Sequence, residues 1–517
     1  MEQKTDQQAV AALPQKQEAA PAKSKMYVTT AISYVNGKPH IGNAMDYLLA
    51  DVWARYQMQN GHPVRFQIGV DEHGTKIATS AKAANMSPQE FTDQTHVNFK
   101  ELASKTGTDY TDFIRTSDTS HKASVQYIWK RLKPYIYKAS YEGWYSVGEE
   151  SFVSDKVATE NNGISPDHGI PYERLSEENY FFKVSAFSSK IREAIETDKI
   201  KIVPKFRKQE ILNLIDEGLE DVSISRPRKS LSWGVSVPDD PNHVMYVWFD
   251  ALSNYLSVLG YPQDETWREY WPADLQVVGK DILRFHAIIW PAMLLGLGLP
   301  LPKVILAHGH ISSNGRKMSK TIGNVVDPYE VVDNYGADAF RYYFSRHVPT
   351  LTDGDFTWER FETAYNTELS NDLGNLVQRA TGMITRYQAG VIGDVTQNEH
   401  DMKEYHDAMK NYQFDEALAS VWGKVRALNQ YIDNIKPWEI AKKVETDSEA
   451  KEHLADVLSY IAGALLQVGD LLMPFMPTTA RKINAIFETG VVQFDGEPLF
   501  PKIYLHTADP RSKEIKK

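Results

Sequence analysis

Two short segments of the chain carry groups that can act on a phosphate. His40-Ile41-Gly42-Asn43 sets an imidazole and a carboxamide beside a glycine at a strand-to-helix turn. The free amides and dipole of a helix start favour an anion there, and both side chains can donate hydrogen bonds to phosphate oxygens. Lys317-Met318-Ser319-Lys320-Thr321 follows the polar run Ser312, Ser313, Asn314 and Gly315. Two ammonium groups on such a loop can close over a triphosphate. Taken singly, the first segment reads equally well as an ordinary helix start and the second as a solvated lysine pair. Neither plain reading accounts for both segments flanking one α/β body.

That body shows in the pattern. Tyr27 to Ile32 is β-prone, a turn with Gly37, Pro39, His40 and Gly42 follows, and Ala44 to Gln59 carries apolar residues at helical spacing. A second unit runs from Val64-Arg65-Phe66-Gln67-Ile68 to Asp71-Glu72-His73-Gly74. Further strands are expected at Met245 to Phe249, Leu275 to Val278 and Val304 to Ala307, with a helix over Ile282 to Leu297. Strands alternating with helices indicate a parallel sheet covered on both faces, whose ligands sit beyond the strand ends. Residues 117–232 break the rhythm and read as an insertion between two halves. Beyond Phe356 apolar residues at 361, 365, 369, 373, 376, 380, 383, 384 and 387 mark a helix, with Gly390 as its C-cap. A second helix aligns Phe414, Leu418, Trp422, Val425, Leu428 and Ile432, and a third spans about 452–474.

The fold class expected is α/β: a Rossmann-type parallel-sheet catalytic domain with a connective insertion, followed by an α-helical bundle. Its parts are a tail (1–25), the first catalytic half (26–116), the insertion (117–232), the second half (233–305), a loop region (306–358) and the bundle (359–517). At 517 residues the chain is too long for a single core. Hydrophobic residues at 42% and charged residues at 24% exclude a disordered chain. A net charge of −11 excludes a protein that coats nucleic acid indiscriminately, yet it permits one folded RNA met through local basic patches. The absence of cysteine removes disulfides, thiolate catalysis and every cysteine-ligated metal site. The apolar run Val457 to Pro477 is interrupted by Gln467 and Asp470 and suits a buried helix better than a membrane span. Residues 1–25 lack Arg and carry Glu2, Asp6 and Glu18, so a tail is expected rather than a transit peptide, and the default location is the cytoplasm.

The two phosphate segments resemble the HIGH and KMSKS signatures of class I aminoacyl-tRNA synthetases in order and separation. Ala31 to Gly42, Gly69 to Ile77, Tyr246 to Tyr255 and Gly279 to Pro291 resemble the methionyl-tRNA synthetase family in particular, over a span from Met26 to the helices after Trp438. The resemblance implies a methionine pocket of Ala31, Ile32, Tyr34, Trp248, Ala251, Leu252, Tyr255, Ile282 and His286, with Asp71 as counter-charge for the substrate ammonium. It implies ATP contacts at His40, Gly42, Asn43, Gly279, Asp281, His308, Gly309, Lys317 and Lys320, of which His40, Asn43, Lys317 and Lys320 serve catalysis. Asn375, Arg379 and Trp438 match anticodon-reading positions, where an exposed Trp stacks on an unstacked base. Methionine, ATP with Mg²⁺ and tRNA(Met) are the implied partners. The physical reading agrees, because a thioether suits an aromatic box of Tyr34, Trp248 and Tyr255.

Two departures from the family bear on chemistry. The stretch Tyr145 to Phe152 stands where methionyl enzymes often carry a zinc knuckle, and it has no thiolate, so no structural zinc is expected. His286, His308 and His310 invite a metal reading that the missing cysteines disfavour. The first signature ends in Asn43 where the class usually has a second His. The leucine, isoleucine and valine enzymes share both signatures, but their editing domain does not fit the roughly one hundred residues of the insertion. No appended tRNA-binding or dimerisation module is recognisable before Lys517, so a monomer is expected, and the interrupted apolar run leads to no expected membrane partner.

Overall fold

Seven strands form the central sheet of the computed structural model, which describes residues 23–147, 151–166, 169–318, 324–392 and 402–503. Their order is Ser33–Tyr34, Val64–Asp71, Met26–Thr30, Leu275–Gly279, Val304–His308 and Lys201–Val203, with Asp112–Arg115 also pairing the Val64–Asp71 strand. Every pairing in this sheet is parallel. Val28, Ile68, Val277 and Leu306 are wholly buried, as expected of strands covered on both faces. The chain winds outward from Met26–Thr30 on one side through Val64–Asp71, and on the other through Leu275–Gly279. The first strand is therefore the switch point, beyond whose carboxyl end sheets of this kind place their ligands.

The Lys201–Val203 strand lies within the 117–232 stretch and pairs parallel with Val304–Leu306. The insertion thus gives an edge strand to the main sheet as well as building its own antiparallel sheet of Ile136–Ser146, Ser151–Val153, Glu173–Phe182 and Val222–Ser223.

Three local expectations are corrected. Val247–Leu252 is a short helix, not the end of a strand. Its aromatic, β-prone sequence is overridden by packing: Phe249 meets Trp129 edge-on at 5.3 Å, while Asp250, one residue on, binds two histidines. Ile282 to Leu297 is not one regular helix but a 3₁₀ turn (Lys280–Ile282), a π-helical turn (Phe285–Ile289) and an α-helix (Trp290–Leu297). The long helix after Phe356 ends one residue early: Ala389 takes the first left-handed position (φ 53°), and the Gly390 N–H returns to the Ile384 carbonyl at 3.2 Å.

Residues 358–388 run as an α-, a π- and an α-helical segment and open the bundle. Lys403–Lys410, Phe414–Ile435, Pro437–Ala441, Ser448–Leu472 and Pro477–Phe487 follow, with Leu418, Trp422, Val425, Leu458, Ile461 and Leu465 wholly buried. Ser448–Leu472 is the one described helix long and apolar enough to cross a membrane, and 67% of its apolar window is buried inside the protein. One buried ion pair ties bundle to sheet. Arg341 donates to Asp51 on the Ile41–Gln59 helix at 2.6 Å and to the carbonyls of Phe475 and Pro474 at 2.7 and 2.9 Å.

Candidate active site

The expected pocket residues meet beyond the carboxyl ends of the Met26–Thr30 and Val64–Asp71 strands. Ala31 continues the first strand by donating to the Val277 carbonyl at 3.0 Å. Ala31, Leu252 and Tyr255 are buried in one apolar cluster, with Trp248 and Ile282 packed against it, and Ala251 is buried beside them. Parallel pairing of Ser33 with Val70 and Tyr34 with Asp71 brings the Ile32–Tyr34 segment to the same edge. Tyr34 itself packs with Val35, Val70, Ile77 and Phe99, in a cluster separate from Trp248 and Tyr255. Phe285 stacks on Trp248 at 3.7 Å and 8°, and Trp290 is tilted against Tyr255 at 5.8 Å. Neither Phe285 nor Trp290 was singled out from sequence, where the only signal is an aromatic-rich helix.

Hydrogen bonds fix the charge state of this wall. His286 Nδ1 faces the Ile282 carbonyl at 3.0 Å, which only accepts, so Nδ1 carries the proton. Nε2 is then an acceptor, and the Tyr255 hydroxyl donates to it at 2.6 Å. Burial pulls the His286 pKa down to about 4, while it raises that of Tyr255. Both groups are neutral at pH 7, and the pocket presents no charge to a side chain. Asp71, 4% exposed, is the acid at the mouth and receives the His73 N–H at 3.3 Å.

On the phosphate side, His40 is the N-cap of the Ile41–Gln59 helix. Its Nδ1 accepts from the Gly42 N–H at 3.1 Å, which leaves the proton on Nε2 as a donor at an exposed position. A Cβ on residue 42 would lie 2.9 Å from the His40 ring, so glycine is what admits this fold of the turn. Asn43 closes the capping box: its Oδ1 accepts from the His40 N–H at 3.0 Å and its Nδ2 donates to Ser33 at 2.8 Å. One helical turn on from Gly42, Asp46 meets His308, which ends the Val304–His308 strand. His308 meets that carboxylate through Nε2 at 2.7 Å and the Gly309 carbonyl through Nδ1 at 2.9 Å. Both partners are acceptors. Burial opposes the charge on His308, but the Asp46 carboxylate outweighs it and raises the pKa, while burial raises that of Asp46. Gly309 is required by a close approach, because its Cβ would fall 2.3 Å from the Thr352 backbone.

Gly279 and Asp281 follow the neighbouring strand. Burial acts to raise the Asp281 carboxyl, but the His310 contact at 3.3 Å holds it below the usual range. His310 is tied further to Asp353, which also holds Lys280 at 2.6 Å. His286, His308 and His310 thus have separate partners. Among the described residues no three His, Cys, Asp or Glu side chains gather as a metal would require. Lys317 is exposed at the end of a short strand pairing with Ile311–Ser313. Lys320 lies outside the described residues.

The remaining trio lies on two helices of the bundle. Asn375 is exposed at the start of the Asn375–Gln388 helix, and Arg379, one turn on, donates to Asp433 at 2.6 Å. The Pro437–Ala441 helix packs against this helix, and its Trp438 is partly buried on the bundle core.

A parallel sheet with its switch point at the first strand, a glycine turn at a helix start and a C-terminal helical bundle define the class. The sequence model of the family described as tRNA synthetases class I (M) matches residues 26–166 and 161–381, and that of the anticodon-binding domain of tRNA ligases matches 396–506. A methionine–tRNA ligase of Bacillus cereus is 42% identical over 487 residues, covering 89% of this chain and 72% of that protein. One from Caldanaerobacter subterraneus subsp. tengcongensis is 43% identical over 479 residues, covering 89% and 73%. The structure of Mycobacterium tuberculosis methionyl-tRNA synthetase in complex with methionyl-adenylate superposes with a TM-score of 0.86 at 32% identity, covering 93% of this chain and all of that one. The chain belongs to the methionine–tRNA ligases of the class I tRNA synthetase family.

Proposed function

We propose that the chain joins methionine to tRNA(Met) with the residues gathered at the carboxyl edge of its parallel sheet. The observation that carries the assignment of roles is the neutral, buried Tyr255–His286 pair, together with the Trp248–Phe285 stack and the buried Asp71 carboxylate. A thioether gains about 0.3–1.5 kcal/mol from each aromatic contact, and an uncharged wall leaves a charged side chain unpaired. Asp71 neutralises the substrate ammonium. The methionine carboxylate then attacks the α-phosphorus of ATP; the bond to the bridging oxygen breaks and pyrophosphate leaves. The 3′-terminal ribose hydroxyl of tRNA next attacks the carbonyl of methionyl-adenylate and releases AMP.

No covalent enzyme intermediate is required, so catalysis is positioning plus charge stabilisation. The His40 Nε2–H, Asn43 and the lysines Lys317 and Lys320 meet the phosphates, with Gly42, Gly279, Asp281, His308 and Gly309 around the nucleotide. Magnesium enters with ATP as part of the substrate complex. Asn375, Arg379 and Trp438 read the anticodon, some way along the molecule from the chemistry. The division into halves 26–116 and 233–305, insertion 117–232, loop and stem-contact region 306–358 and bundle 359–517 belongs to the same proposal. So do a monomeric state and action in the cytoplasm.

The test is charging of unfractionated tRNA with labelled methionine by the purified chain. ATP-dependent, methionine-only charging supports the proposal; charging with another amino acid contradicts it. In Trp438→Ala charging should fall at least tenfold while ATP–pyrophosphate exchange is kept, and equal losses in both would remove the anticodon role.

A further inference from the structure

Asp250 lies deep in the molecule, 1% exposed, and its two oxygens are taken by two histidines from distant parts of the chain. Oδ2 is 2.6 Å from His73 Nδ1 and Oδ1 is 2.9 Å from His121 Nε2. His121 Nδ1 continues to the Ser257 hydroxyl at 2.7 Å. Burial alone raises a carboxyl's pKa, but the imidazoles, His73 foremost, more than cancel it and hold Asp250 at about 2. The carboxylate therefore accepts, and both facing ring nitrogens carry protons.

The placement of this cluster is what bears on function. Asp250 sits on the same short helix as Trp248, Ala251 and Leu252, the pocket wall. His73 is two residues past Asp71, and its own N–H donates to the Asp71 carboxylate at 3.3 Å. His121 is on the Thr119–Leu132 helix of the insertion. One carboxylate thus ties the wall of the pocket, the acidic turn at its mouth and the insertion. The other groups of the turn are anchored as well: Glu72 holds Arg115 at 2.8 Å and Ser117, and its carbonyl receives the Trp233 indole N–H. Trp233 also meets the His73 ring edge-on at 5.2 Å. His73 Nε2 is buried without a hydrogen-bond partner among the described residues, so Nδ1 makes the one ring hydrogen bond described there.

A buried ionic network of this kind gains little stability over apolar packing of the same volume, and its attested use is to specify geometry. We infer that Asp250, acting through His73, is a positioning residue for recognition of the amino-acid ammonium: it fixes the Asp71 turn at a set distance from the pocket wall. The inference rests on Asp71 being the ammonium's counter-charge. It makes Asp250 a determinant of where the α-carbon sits, although Asp250 touches no substrate.

The experiment compares binding of methionine and of its desamino analogue, 4-(methylthio)butanoate, to the full chain by equilibrium titration. Asp250→Asn should weaken methionine at least tenfold and the analogue less than twofold, with the KM for ATP in exchange unchanged. Should that variant not fold, His73→Ala is expected to show the same split, and His73→Gln, whose amide can still donate to Asp250, to recover most of it. Equal weakening of both ligands, or of neither, overturns the inference. Asp71→Asn serves as the reference: if it too fails to separate the two ligands, the role of Asp71 falls, whereas separation there without separation in Asp250→Asn and His73→Ala isolates the failure to Asp250.

Discussion

The amino-acid side and the phosphate side of the crevice are built differently. Tyr255, His286, Leu252 and Asp71 are all buried, and their polar atoms are tied within the protein before any substrate arrives. His40 and Lys317 are exposed, one at a helix cap and the other on a two-residue strand. The difference follows from what each side must bind. An uncharged thioether is recognised by shape and by exclusion of water, which needs walls that do not move. A triphosphate is recognised by charge, which acts at longer range and tolerates groups that gather only when the anion is present. A third region, the bundle, shares neither character: Asn375 is open to solvent, and Arg379 is held by Asp433.

The contrast can be broken most directly at its acidic end. Asp71→Asn removes the buried counter-charge, and kcat/KM for methionine should fall at least a hundredfold, about 2.7 kcal/mol of transition-state stabilisation, while KM for ATP holds. An equal rise in both KM values would mean that the two sides are not separate. Lys317→Ala addresses the other side: the exchange rate should drop at least tenfold with methionine binding in the absence of ATP unchanged. A weakened affinity for methionine alone would contradict the division.

His286 sharpens the claim that the wall is neutral. Its folded pKa, about 4, lies below the ordinary histidine value of 6.5. Between these values the unfolded chain takes up a proton that the folded chain refuses, so stability falls as pH drops from about 6.5 towards 4. One such group amounts to roughly 3 kcal/mol over that window. Urea unfolding of His286→Gln should lose that part of the pH slope, and an unchanged slope would show that the wall is not held neutral. The smallest effect is expected of Asn43→His. Asn43 makes two hydrogen bonds, to the His40 N–H and to Ser33, and an imidazole can keep the first. Exchange should stay within about tenfold, or about 1.4 kcal/mol of barrier; a hundredfold loss would show that the amide is not equivalent to the imidazole.

Much of this architecture was legible in the sequence because its signals are local. Strand runs such as Val64–Ile68 and Val304–Ala307, the His40–Asn43 turn and the apolar spacing of Phe414–Ile435 each report on their own segment. What was not legible depends on packing between distant segments. The Trp248-Phe249 run reads as strand, and only the partners of Phe249 and Asp250 make it a helix. The His73–Asp250 and His121–Asp250 contacts join residues 177 and 129 apart, for which one sequence holds no signal. Tyr34, set beside Asp71 by strand pairing, is partly buried against Val35 and Phe99, in an apolar cluster other than that of Trp248 and Tyr255, which one sequence does not signal either.

ATP–pyrophosphate exchange measured with each of the twenty amino acids in turn, without tRNA, isolates the crevice from the bundle. The expected result is exchange with methionine and rates at least a hundredfold lower with leucine, isoleucine, valine and cysteine, reduced to background throughout in Asp71→Asn. Exchange that is absent with methionine, or matched by any branched aliphatic amino acid, would contradict a neutral aromatic pocket built for a thioether.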